Sequence, residues 1–257
     1  MSQKLKMGIL ISGGGTTAEA VIKTCRAGRL SLEPVVVISS RKDAGGIEKA
    51  RRLRVPTEVL RPRDYQGKEQ FGEELLSVLE KYGVNIVSQN GWLPLTPKNV
   101  VKKYSGQIVN QHPGPLDSDG SDFGGKSMYG SAVTCARVAY EWVIGEESPW
   151  TEATVHWVTE EYDKGGVISR TRMNLEGPRR RVTIEELTDD PEKLIRMTKK
   201  VQERLLPIEH ENVIKALAMV VRGEAGPKRR DTPLVPESNL GILRQAKKLA
   251  IDLFPEG

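Results

Sequence analysis

Asn110 and His112 stand two residues apart at the end of the apolar run Gln107-Ile108-Val109, in a 257-residue chain with only three histidines. Residues i and i+2 of a strand face the same way, so amide and imidazole project together if extended geometry continues that far. Such a pair can polarise a carbonyl and move a proton in one place. Asp163 follows later, in the glycine-rich turn Tyr162-Asp163-Lys164-Gly165-Gly166. Its carboxylate could orient the imidazole and stabilise its charged form. The three residue types together suit acyl transfer by general acid/base chemistry with oxyanion stabilisation. His112 alone would read more readily as a hydrogen-bonded structural residue than as a catalyst. His156, between Val155 and Trp157, reads as a packed strand residue, and His210, within Glu209-His210-Glu211, as a surface residue.

A second candidate lies near the start. Gly13-Gly14-Gly15-Thr16-Thr17 follows the apolar run 6–12 and opens a helical pattern. Glycines there let the backbone approach a ligand, and free N–H groups at a helix start favour an anion. Ala18 and Glu19 break the dinucleotide fingerprint, and the P-loop Gly-Lys-Ser/Thr is missing, so a single phosphate fits better. A tight structural turn without ligand is the alternative. No zinc spacing or Gly-x-Ser-x-Gly elbow occurs, and no metal is expected. Cys25 and Cys135 read as small hydrophobes on helix faces.

Positioning these residues falls to an alternating series of elements. Strands are expected at 6–12, 34–39, 57–60, 85–88 and 106–110, with helices opening after Thr16, over 46–53 and 68–82, and after Thr96-Pro97. Continuous apolar runs such as Val35-Val36-Val37-Ile38 suit strands buried on both faces of a parallel sheet. The expected fold class is therefore α/β: a Rossmann-like, mostly parallel twisted sheet with helices on both faces. Residues 114–130, rich in Gly, Asp and Ser, form a loop directly after the catalytic strand, where loops are often functional. It is expected to close over substrate, with Lys126 or Tyr129 touching an acceptor. Beyond it are expected a helix at 131–143, strands at 153–159 and 166–172, a long helix at 191–221 with an interruption at Pro207, and a last helix at 240–253.

Composition sets the outer limits. With 38% hydrophobic and 28% charged residues, the chain reads as an ordinary globular protein large enough for a sizeable core. No apolar run approaches the roughly 20 residues of a membrane span. The amino-terminal residues lack a signal-peptide pattern, so a cytoplasmic location is expected. The net charge of +5 suits an anionic small substrate. The clusters Arg179-Arg180-Arg181 and Lys228-Arg229-Arg230 read as solvated loops.

Taken in order, Ile11-Ser12-Gly13-Gly14-Gly15-Thr16-Thr17, Gly46-Ile47-Glu48-Lys49-Ala50, Asn110-Gln111-His112-Pro113, and Thr154 to Thr159 with Asp163 to Ile168 give the chain its family resemblance. It resembles the folate-dependent formyltransferases over about residues 6–222. The resemblance implies the formyltransferase fold in a catalytic domain over 1–222, with 223–257 as a helical C-terminal extension. It implies 10-formyltetrahydrofolate as co-substrate and the amine of glycinamide ribonucleotide, in purine synthesis, as acceptor. It assigns Asn110 to the formyl oxygen, His112 to the proton, and Asp163 to raising the imidazole pKa and ordering a water. It gives Gly13, Gly14, Gly15, Thr16 and Thr17 the ribose phosphate. It gives the folate Lys68, Leu93, Pro94, Leu95, Thr96, Thr159, Glu160, Glu161 and Tyr162. The chain departs from the family pattern at Thr17 (commonly Asn), Pro94 (commonly Arg) and Gly114 (commonly Ser), and the family's Glu-His aligns with Gln202-Glu203 or, by a shift of frame, with Glu209-His210.

Other acceptors stay open within this chemistry: an amino sugar nucleotide, methionyl-tRNA, or water in a formyltetrahydrofolate hydrolase. Outside it stand a nicotinamide-dependent or nucleotide-binding α/β protein and an RNA-associated basic protein. Nucleic acid and membrane are not the expected partners, and oligomeric state stays open, a homodimer included.

Overall fold

The computed structural model describes residues 4–177 and 181–257. Arg179 and Arg180 of the first basic cluster lie outside these residues.

The first half follows the expected alternation. β1 (Leu5–Ile11), α1 (Thr16–Arg26), β2 (Leu32–Ser39), α2 (Gly45–Arg52), β3 (Thr57–Val59), α3 (Lys68–Lys81), β4 (Ile86–Gln89), α4 (Lys98–Lys103) and β5 (Ile108–His112) succeed one another. After the 114–130 loop come α5 (Ser131–Ile144), β6 (Trp150–Trp157), β7 (Val167–Asn174), α6 (Ile184–Asp189), α7 (Glu192–Val221) and α8 (Leu240–Leu253). One seven-stranded sheet runs β3-β2-β1-β4-β5-β6-β7. The strands from β3 to β5 pair in parallel, and β6 and β7 pair antiparallel. β6 and β7 form a hairpin whose turn carries Asp163.

Strand alternation divides the core. Ile9 and Ile11 of β1 pack with Val21 and Ile22 of α1 and Val213 and Leu217 of α7 on one face. Leu10, between them, packs with Phe71, Leu75 and Leu79 of α3 on the other. A third cluster joins α5 to Leu194, Val201 and Leu205 of α7 and to Leu243, Ala246, Leu249 and Ala250 of α8. The last helix thus shares its core with the helix that follows the 114–130 loop.

Several expectations need correction. α7 runs unbroken through Pro207. The missing N–H and ring clash cost about 3 kcal/mol, but Leu205 and Val213 are buried on either side of the proline and hold the helix in register. α6 is an element that the sequence reading did not assign. Its capping box is complete, with Thr183 Oγ1 accepting from Glu186 N and the Glu186 carboxylate accepting from Thr183 N. Arg230 is no solvated loop residue: its guanidinium pairs with fully buried Glu152 and its Nε donates to Leu116 O at 2.9 Å. His210 is half-buried rather than on the surface. Cys25 and Cys135 are buried free thiols on α1 and α5, pushed up by burial to about 11 and about 12 respectively.

Candidate active site

Register brings the catalytic candidates together. β5 and β6 pair so that Asn110 lies opposite His156 and His112 opposite Thr154. The β6–β7 turn then returns Asp163 to the same place, 3.7 Å (Oδ1) from His112 Nδ1 and 3.4 Å from His156 Nε2. Asp163 has φ 56°, a left-handed conformation that Asp tolerates better than most residues. Its other oxygen accepts a hydrogen bond from Gly125 N at 2.8 Å. Gly124 leaves room for it, since a Cβ there would sit 2.6 Å from Asp163 Cβ.

His156 is the residue that the sequence reading undervalued. It is buried, as a packed residue would be, yet both ring nitrogens are engaged. Nδ1 lies 2.8 Å from Trp157 O, an atom that can only accept, so the neutral ring carries its proton there. Nε2 then accepts from Asn110 Nδ2 at 3.0 Å. One amide hydrogen of Asn110 is spent on His156, and the second stays available for a substrate oxygen. The partnership depends on strand pairing, which no linear spacing discloses.

Burial and charge oppose each other here. Burial works to raise the Asp163 carboxyl, but the positive charge that His112 and His156 carry when protonated, with the Gly125 N–H, pulls it well below the usual carboxylate range. His112 is 3% exposed, and burial lowers its pKa against the pull of Asp163. The site at neutral pH therefore holds a carboxylate beside a neutral imidazole. By distance and angle His112 Nε2 has no partner among the described residues, with the Phe123 backbone near enough to favour the protonated ring, and it can take up a proton.

These groups line a cavity of 720 Å³. Gly13 to Thr17 border one part of it, and Leu93 to Thr96 with Thr159, Glu161 and Tyr162 another. Lys126 and Tyr129 lie on its wall. Lys68 opens α3, and Glu160 pairs with Lys98 at 2.9 Å; neither lines the cavity. The glycine turn is braced by Gly46 N donating to Gly13 O at 3.1 Å and Lys49 Nζ to Gly14 O at 2.9 Å. Gly15, φ 67°, abuts Gly46, so neither position has room for a side chain. Gly114 is equally constrained, because Val133 occupies the space that a serine would need.

Two further cavity residues were not among the site residues expected from the sequence. Gln111 and Glu209 are each 9% exposed, and Gln111 Nε2 has no partner among the described residues by distance and angle. Burial pushes the Glu209 carboxyl up to about 7, with the Gln111 amide pulling the other way. A signal existed: Leu205, Glu209 and Val213 recur every four residues, which sets a carboxylate on the apolar stripe of α7. Among the described residues no His/Cys/Asp/Glu group could hold a metal ion, and no helix is long and apolar enough to cross a membrane.

A mostly parallel α/β sheet carries an amide, an imidazole and a carboxylate at one cavity, residue types suited to group transfer by acid/base chemistry. The family profile described as Formyl transferase matches residues 5–207, and the chain belongs to that family. It is 27% identical, over 91% of its length and 71% of the relative's, to the chloroplastic phosphoribosylglycinamide formyltransferase of Arabidopsis thaliana. It is 29% identical over 88% of its length to the trifunctional purine biosynthetic protein adenosine-3 of Gallus gallus, of which it spans only 20%. Among solved structures, glycinamide ribonucleotide transformylase 1 of Symbiobacterium toebii superposes with TM-score 0.68 at 26% identity. That superposition covers 87% of this chain and 90% of the other. The fold class read from the sequence and the formyltransferase resemblance both hold.

Proposed function

We propose that this formyltransferase moves the formyl group of 10-formyltetrahydrofolate to the primary amine of glycinamide ribonucleotide, with Asn110, His112 and Asp163 as its catalytic residues. The observation that carries the assignment of roles is the convergence of the three side chains on one cavity, with His112 Nε2 and one Asn110 amide hydrogen uncommitted. Attack of the amine on the formyl carbon forms a C–N bond and places negative charge on the formyl oxygen. The free amide hydrogen of Asn110 meets that oxygen. The amine nitrogen, now cationic, loses a proton to neutral His112, and Asp163 stabilises the imidazolium. Collapse of the intermediate breaks the bond to N10 of the folate, which leaves with a proton returned from the site.

The remaining lining divides by chemistry. The Gly13–Thr17 turn, at the start of α1, offers backbone N–H groups to the ribose phosphate. Leu93 and Leu95 give apolar walls to the pterin, while Thr96, Thr159, Glu161 and Tyr162 supply polar atoms. Asn90 Nδ2, buried on that side without a partner among the described residues, offers a donor to a folate acceptor. Lys126 and Tyr129 would face the acceptor from the 114–130 loop. Residues 223–257 form an extension beyond the catalytic domain and brace that loop.

A spectrophotometric assay of 10-formyltetrahydrofolate conversion, with and without glycinamide ribonucleotide, tests the reading. Turnover that depends on the acceptor and disappears in His112→Ala is expected. Conversion without acceptor would make the chain a hydrolase, and folate binding without conversion would transfer the search to other amines.

A further inference from the structure

Residues beyond the family-matched stretch reach into the site. Lys247, on α8, donates from Nζ to Gly124 O at 2.6 Å and to Asp122 O at 3.1 Å. The Gly124 carbonyl belongs to the same peptide unit as the Gly125 N–H, which donates to Asp163 Oδ2 at 2.8 Å. A trans peptide is planar, with C=O and N–H pointing in opposite directions. Fixing the oxygen therefore fixes where the hydrogen points. We propose that Lys247 is a positioning residue for the site carboxylate, holding the Gly124–Gly125 peptide so that its N–H meets Asp163.

Two features make this peptide in need of such a hold. It lies between two glycines, and Gly125 has φ 110°, a region open mainly to glycine. Rotation of the peptide plane meets little steric resistance there. Rotation would replace the N–H facing Asp163 with a carbonyl oxygen, which repels a carboxylate. The ammonium also polarises the carbonyl, which strengthens the N–H as a donor on the far side. The rest of the loop is tied independently: Asp122 accepts from Asp117 N and Gly124 N, and Asp117 accepts from Leu234 N. Lys247 thus acts on two peptide carbonyls, Gly124 and Asp122, rather than on the loop as a whole.

The inference rests on Asp163 serving His112, and its test separates the two ideas. The charged groups around Lys247 are Asp122, Lys164 and Asp163; those around His112 are Asp163, His156 and Asp122. With three histidines in the chain, each imidazole can be titrated by NMR in the free protein. Lys247→Met removes a cation, which by itself would raise the His112 titration. Loss of Asp163 from its place lowers it. The expected result is a lower His112 midpoint, an unmoved His210, and kcat reduced about 10- to 100-fold with both KM values little changed.

In an Asp163→Asn background the same change should have almost no further effect on residual turnover. Equal losses in both backgrounds, unchanged kcat, or an upward imidazole shift would overturn the proposal. If Lys247→Met does not fold, Lys247→Gln carries the same comparison. Full activity in Asp163→Asn would instead sink the catalytic reading of Asp163, while the imidazole titrations still report on Lys247.

Discussion

Gly124 is the residue on which the geometry of Asp163 leans most directly. A methyl group there would meet Asp163 Cβ at 2.6 Å and Leu116 Cδ2 at 2.7 Å. Gly124→Ala should lower kcat strongly and cost about 1–3 kcal/mol of stability, as overpacking does; an unaltered kcat would show that Asp163 tolerates displacement. Asn110→Ala removes the proposed oxyanion donor and should reduce kcat about 10²- to 10³-fold with little change in folate binding. The pH profile follows from His112. In the proposed mechanism its neutral form takes the proton, and burial lowers its pKa, so kcat/KM should fall with acid only below the ordinary histidine value of 6.5. An acid limb at or above that value would contradict this assignment. The convergence of Asn110, His112 and Asp163 was legible in sequence, since the two-residue spacing sets amide and imidazole on one face and the glycine-rich turn can return a carboxylate to them. His156 was not, since its partner is chosen by strand pairing.

Elements explain where sequence reading stopped. The β-α alternation from β1 to β5 was legible because each parallel strand is an apolar run and each crossover helix has its own stripe. The unbroken α7 was not, because packing on both sides of Pro207 outweighs the local cost. α7 also places Glu209 where a protonated carboxyl is favoured. Its pKa rises from 4.5 to about 7, so folding binds a proton over that interval. Stability should decline as pH rises from 4.5 to 7, by up to about 3 kcal/mol. Glu209→Gln should melt higher than the parent at pH 8 and equally at pH 4. A constant difference in Tm across that range would mean that Glu209 does not titrate with folding.

The whole molecule adds what no element supplies. A net charge of +5 attracts anionic substrates over distances set by salt. The KM of the phosphorylated acceptor should therefore rise between about 50 and 500 mM salt, with kcat held; a flat KM would restrict the attraction to short-range contacts. The sequence showed a last helix over 240–253 but not its partner, because an amphipathic face does not name what covers it. α8 lies on α5, and α5 begins where the 114–130 loop ends. That shared face, together with α7, which contributes to the clusters on both sides of it, ties the last helix to the rest of the core. Melting should be one cooperative transition, with calorimetric and van't Hoff enthalpies equal, and catalytic competence should vanish along the same curve.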